Sequence, residues 1–109
     1  MGKTIAEKVL SSRSGKSVFA GDLTVASVDF CMSQDGTSTM MIRELESLGF
    51  SSPKTAKGMA VVIDHNSPCP SVDVAKIHAK IRNFARTKSV PLFDSGEGVC
   101  HQVIPRAAR

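Results

Sequence analysis

Apolar and polar positions along the chain alternate between the helical and the strand period. Thr4-Ile5-Ala6-Glu7 has the spacing of a capping box, and Ile5, Val9 and Leu10 supply a short helical apolar face. Gly15 and a turn at Gly21-Asp22 follow. Leu23 to Val28 then alternates apolar and polar side chains as a half-buried strand does. From Thr37 to Leu48 the residues Met41, Ile42, Leu45 and Leu48 return at helical spacing, with Gly49 placed for a C-cap. Met59 to Ile63 is continuously apolar, the pattern of a parallel strand covered on both faces. Ser71 is the expected N-cap of a second long helix, with Asp73 in the first turn, where the helix dipole favours an acid. Val74, Ile77, Ile81, Phe84 and Ala85 line one face of it, while Lys76, Lys80, Arg82 and Arg86 point elsewhere. Pro91 to Asp94 offers another short strand, and Val99 to Ile104 is a last apolar stretch broken by His101.

Strands separated by helices of this length imply right-handed crossovers and a parallel or mixed sheet. The predicted class is α/β, a sheet flanked by helices in three layers. Strands are expected near 23–28, 59–63 and 92–94, and the main helices near 37–48 and 72–87. There is no internal repeat and no low-complexity segment.

Composition narrows the function classes. A chain of 109 residues, 41% hydrophobic and 22% charged, fits one small folded domain spanning 1–109. The net charge of +4 favours anionic partners without choosing among polycarboxylates, phosphates and nucleic acid. With no Tyr or Trp to stack on bases, the basic residues from Lys76 to Lys88 read as a solvated face and give a nucleic-acid groove little support. His78, among those charges, is expected at the surface. The start MGKTIAEKVL carries charges where a signal peptide would be apolar. No apolar run approaches the ~20 residues that span a bilayer. The expectation is a cytoplasmic chain without a membrane partner. Cys31, Cys69 and Cys100 are odd in number, widely spaced and without a Cys-x-x-Cys, so they are expected to be reduced thiols and no metal site is assigned.

The chemistry gathers where apolar runs stop. In open α/β sheets, ligands bind beyond the carboxyl ends of the strands. The stretch "VVIDHNSP" (61–68) ends one such run in Asp64-His65, a general acid or base beside a carboxylate that raises its pKa. The group from Cys31 to Gly36 follows a strand expected to end near Phe30, and Gly96 to Gln102 follows the one around Phe93. The three polar clusters can therefore converge on one site. Taken singly, Asp64-His65 also serves as a strand-end cap, and His101 between Val99 and Val103 as a partly buried structural histidine.

The combination resembles the N-terminal part of the large subunits of the aconitase superfamily, of the 3-isopropylmalate dehydratase and homoaconitase type. The likeness covers essentially the whole chain: "GKTIAEKVL", "SGKSVFAGDLTVASVD", "MSQDGTS", "VVIDHNSP" and "FDSGEGVCHQVIP" stand in the family's order and spacing. Phe19-Ala20 replaces the family's usual apolar residue and proline. The resemblance implies part of an aconitase-like domain 1 and a hydro-lyase acting on a hydroxy di- or tricarboxylic acid such as 3-isopropylmalate or homocitrate.

It further implies that the Gln34 amide binds a substrate carboxylate, that His65 with Asp64 helps protonate the departing hydroxyl, and that His101 is a second active-site histidine. Gln34 stands where many isopropylmalate dehydratases carry His, an aconitase-like feature. The family's 4Fe-4S cluster is held by three cysteines, two of them in a Cys-x-x-Cys, and none of Cys31, Cys69 and Cys100 matches them. The implied partners are the remainder of a large subunit and a separate small subunit. The chain alone is expected to hold no cluster and to be inactive. The alternative from another class is a free-standing, non-catalytic module that binds a carboxylate metabolite, RNA or a partner subunit.

Overall fold

Residues 2–51 and 58–107 are described by a computed structural model. In chain order its elements are α1 (Ile5–Ser14), β1 (Cys31–Gln34), α2 (Asp35–Ser47), β2 (Met59–Val62), α3 (Val72–Thr87), β3 (Leu92–Phe93) and α4 (Cys100–Ala107). β2 lies between the other two strands and is parallel to both. Cys31 to Gln34 pair with Met59 to Val62, and Val61 and Val62 pair with Leu92 and Phe93. The bonding continues one step past β2, where the Ile63 N–H donates to the Phe93 carbonyl at 2.9 Å.

The central strand sorts the layers. Its side chains alternate between the faces of the sheet, and both faces are covered. Val61 and Ile63 pack with Ile42 from α2 and with Ile81 and Phe84 from α3. Ala60 and Val62 pack with Cys100 and Ile104 from α4, beside Phe30 and Phe93. This is the expected three-layer α/β arrangement, with α2 and α3 on one face and α4 on the other.

The helix ends follow from local chemistry. Thr4 Oγ1 accepts from the Glu7 N–H at 3.2 Å, and the Glu7 carboxylate accepts from the Thr4 N–H at 2.8 Å, completing the capping box of α1. Ser71 Oγ caps α3 by accepting from Val74 N–H at 3.3 Å. Gly49, with φ of 73°, reverses the chain after α2, so that Phe50 stacks on Phe84 with ring centroids 6.3 Å apart.

At four places the structure differs from the pattern reading or adds to it. Leu23 to Val28 forms no strand among the described residues. Its Ser27 N–H donates to the Arg13 carbonyl at 3.0 Å, and Leu23 and Val25 are 94% and 91% exposed. Alternation says which residues share a face. It does not supply the second strand that a ladder needs. The first strand accordingly comes later, at Cys31–Gln34, and α2 begins directly at Asp35 rather than after a polar loop. The apolar face of α1 exists but is uncovered, with Ile5, Val9 and Leu10 all exposed. Val99 to Ile104 mostly enters α4, which buries Cys100 and Ile104 and leaves Val99 and His101 exposed. No helix among the described residues is long and apolar enough to cross a membrane.

Candidate active site

The strand register brings the polar clusters to one edge. Gln34 and Val62 are neighbours at the carboxyl ends of β1 and β2, and Asp64-His65 follows two residues beyond Val62. Gln34 is the N-cap of α2. Its Oε1 accepts from the Gly36 N–H at 2.5 Å, which leaves the Nε2 donors without a partner among the described residues. A Cβ at position 36 would stand 2.9 Å from that Oε1, so a larger residue would displace the end of the Gln34 side chain.

Asp64 is built in more firmly. One carboxylate oxygen contacts His65 Nδ1 at 2.6 Å, and the other accepts from the Cys100 N–H, the first amide of α4, at 2.7 Å. Only 3% of the Asp64 side chain is exposed, against 50% for His65. Burial pushes the Asp64 carboxyl up, but the His65 ring, the Cys100 N–H and the Cys100 thiol together hold it below the usual range. The His65 imidazole is raised, first by its hydrogen bond to Asp64 and further by the charges of Asp64 and Asp35, against a smaller opposing effect of desolvation. A ring bonded to Asp64 through Nδ1 has Nε2 left to meet a ligand, and no described residue occupies that nitrogen.

Beneath the pair lies a carboxylate that the sequence pattern did not single out. Asp35, fully buried, accepts from the His65 N–H at 3.0 Å, the Asn66 N–H at 2.9 Å and the Asn66 Nδ2 at 3.3 Å, and meets His78 Nε2 at 3.0 Å. His78 is therefore not a surface residue: it is 2% exposed. The signal was available, because His78 falls on the Val74, Ile81 and Ala85 stripe of α3 rather than among its lysines. Burial would raise the Asp35 carboxyl, yet the two backbone N–H groups, the His78 ring and the Asn66 amide outweigh it and hold the pKa at about 2, against an ordinary 3.8.

A depressed acid stabilises the folded state above its unfolded pKa and loses that contribution as pH falls through its folded one. The stabilisation from Asp35, on the order of 2 kcal/mol, is therefore expected to be complete above the ordinary carboxylate range and to vanish towards pH 2. Urea midpoints measured down the acid limb check this: Asp35→Asn should flatten the limb, and an unchanged limb would contradict the linkage.

The third cluster closes the edge. Ser67 Oγ donates to Ser95 Oγ at 3.1 Å, and Asp94 is gripped by Arg82 of α3 through two bonds of 2.7 Å. The Asp94 N–H donates to the Glu97 carboxylate. Gly98 has φ of 128°, and a Cβ there would meet the Val103 side chain at 2.7 Å. Ile63, Asp64, Ser67, Gly96, Gly98 and Val99 line a shallow cleft of about 180 Å³. His101 is exposed on the first turn of α4, next in sequence to the Cys100 amide that holds Asp64. Asp64 and His65 are thus joined directly, Gln34 reaches them through its neighbour Asp35, and His101 through its neighbour Cys100. Neither Gln34 nor His101 has a side-chain bond to the pair.

The chain is similar along nearly its whole length to curated large subunits. It is 41% identical over 104 residues to the 3-isopropylmalate dehydratase large subunit 1 of Thermotoga maritima, covering 95% of this chain and 25% of that protein. The chain resembles the N-terminal part of large subunits of the aconitase superfamily. It is likewise 41% identical over 106 residues to the 3-isopropylmalate dehydratase large subunit 1 of Methanopyrus kandleri (96% of this chain, 25% of that protein). To the homoaconitase large subunit of Thermus thermophilus it is 39% identical over 104 residues, covering 95% of this chain and 25% of that protein. No protein-family model matches it. The chain spans about a quarter of the length of these relatives.

Its own residues do not fit the iron–sulfur cluster that the superfamily implies. Such clusters are held by several thiolates converging on the iron. Here Cys31 and Cys69 are exposed and Cys100 is buried, and among the described residues the one grouping of metal-ligating side chains is Asp64, His65 and Cys100. That grouping is held together by protons. Burial and the adjacent Asp64 push the Cys100 thiol up, away from the thiolate that a metal would need.

Proposed function

We propose that this chain forms one wall of the active site of a hydro-lyase that dehydrates and rehydrates a hydroxy di- or tricarboxylic acid, such as 3-isopropylmalate or homocitrate. We assign it to part of an aconitase-like domain 1. The observation that carries the reading is the Asp64–His65 pair at 2.6 Å, its carboxylate covered and anchored while the imidazole stays half-exposed. A histidine whose pKa is raised holds a proton near neutrality and can give it up at a free Nε2. His65 protonates the departing hydroxyl as the C–O bond breaks, so that the oxygen leaves as water. The proton lost from the neighbouring carbon goes to a base outside this chain. In the reverse direction His65 takes the proton back from water. His101 is the second histidine at the same edge, facing the reacting oxygen or a substrate carboxylate.

Gln34 is suited to an anionic substrate by what its cap excludes. With Oε1 committed to Gly36, the side chain can offer only its two Nε2 donors. The rest of the large subunit would supply the cluster's cysteines and the base, and a small subunit would complete the substrate pocket.

Gln34 also supplies a test, in the intact enzyme. Gln34→Glu keeps an oxygen for the α2 cap but replaces the donors with a negative charge. KM for the hydroxy acid should rise by about tenfold to a hundredfold, the value of a hydrogen bond to a charged group, while thermal stability stays near that of the unmodified protein. An unchanged KM would remove Gln34 from the substrate site.

A further inference from the structure

The acid–base pair sits on a turn, and turns are not rigid by themselves. Asp64-His65-Asn66 follows β2, and among the described residues its backbone is tied down from below by one group. The Asp35 carboxylate takes the N–H of both His65 and Asn66 on its two oxygens, at 3.0 and 2.9 Å. The second oxygen also meets His78 Nε2 at 3.0 Å, from the buried face of α3. Asp35 itself is the first residue of α2, directly after Gln34. Three elements, the start of α2, the turn after β2 and the middle of α3, therefore share one buried carboxylate.

We propose that Asp35 and His78 are positioning residues for His65: the buried pair clamps the turn so that the imidazole keeps Nδ1 on Asp64 and presents Nε2 to the ligand. The geometry gives each member a distinct task. Asp35 fixes the main chain of His65, from which the ring hangs. His78 fills the remaining place on Asp35 with a donor, so the carboxylate is not drawn away from the turn towards α3 or solvent. Asp35 Oδ1 lies 3.9 Å from His65 Nδ1, too far for a hydrogen bond, so its grip on the ring runs through the backbone and through charge. A buried polar pair serves geometry here, where two apolar residues of the same size would pack without aiming anything.

This inference rests on the proposed role of His65, but its first readout does not. Ring-labelled histidine in the intact protein gives the state of His65 directly by NMR. The unmodified protein should show His65 as a single tautomer protonated on Nδ1 once it is neutral. Asp35→Asn and His78→Leu should give a mixture of tautomers or an exchange-broadened ring at temperatures well below their unfolding midpoints. His78→Gln, which keeps a donor for Asp35, should restore the single state. In the assay, Asp35→Asn and His78→Leu should lower kcat by about tenfold to a hundredfold with little change in KM, as a misplaced catalytic group does. His78→Gln should recover most of that loss. If His78→Leu does not fold, His78→Asn, which stays polar but is too short to reach, takes its place. A lower melting midpoint with an unaltered His65 ring would reduce the pair to a stabilising contact and overturn the proposal. An altered ring with unaltered turnover would instead keep the clamp and overturn the role given to His65.

Discussion

Asp64→Asn in the intact enzyme is expected to lower kcat by about a hundredfold to ten-thousandfold, the range over which positioned acid–base catalysis acts. The reason lies in how the carboxylate is shared. One oxygen faces His65 Nδ1 and the other faces the Cys100 N–H. An amide has one oxygen, so it can satisfy only one of the two. If the oxygen meets Cys100, the NH₂ group confronts His65 and favours the wrong tautomer. If it meets His65, the NH₂ group confronts the first amide of α4. In either case the charge that raises the His65 pKa is gone, and the ring carries less proton at neutral pH. The pH profile of kcat should therefore begin to fall at lower pH than in the unmodified enzyme. Full turnover in a folded Asp64→Asn enzyme would take the pair out of the chemistry.

The second large effect concerns the scaffold. Ile81 is fully buried between α3 and the central strand, in the cluster that contains Ile42, Val61 and Ile63. Ile81→Ala should cost about 2–5 kcal/mol, and Ile81→Val about 0.5–1.5 kcal/mol. Domains of this size hold roughly 5–15 kcal/mol in all, so the alanine variant should unfold at a much lower urea concentration. Urea melts at a fixed pH with an unchanged slope would report the difference cleanly. Equal midpoints for the two variants would mean that the space left by alanine is refilled, and that this part of the core is not closely packed.

What the sequence made legible and what it hid divide along physical lines. α3 was readable from cap to final turn because its signals are local: Ser71, Asp73 and an apolar stripe at helical spacing. β2 was readable because three residues in a row are covered on both faces. Leu23 to Val28 misled because strand formation depends on a partner elsewhere, and the pattern within the segment is the same with or without one. The same distinction holds at the site. Asp64 and His65 are adjacent in sequence and visible as a pair. Asp35 and His78 are separated by 43 residues, and only the packing of α3 against the start of α2 makes them neighbours. Their recognition required a histidine on an apolar stripe to be taken as a buried polar group in need of a partner. The carboxyl-edge position of Gln34 and Asp64-His65 was legible, since it follows from strand direction alone.

One bond described above ties the chemistry to a local equilibrium. α4 has 8 residues, and the buried apolar contacts that hold it to the sheet come from Cys100 and Ile104. So short an element opens more readily than the sheet it covers. Each opening withdraws the Cys100 amide from Asp64 and exposes that carboxylate to water, so His65 loses part of what raises its pKa. Competence of the pair is then a population, the fraction of molecules with α4 seated. The hydrogen-exchange protection of the Cys100 amide measures that fraction without any substrate present.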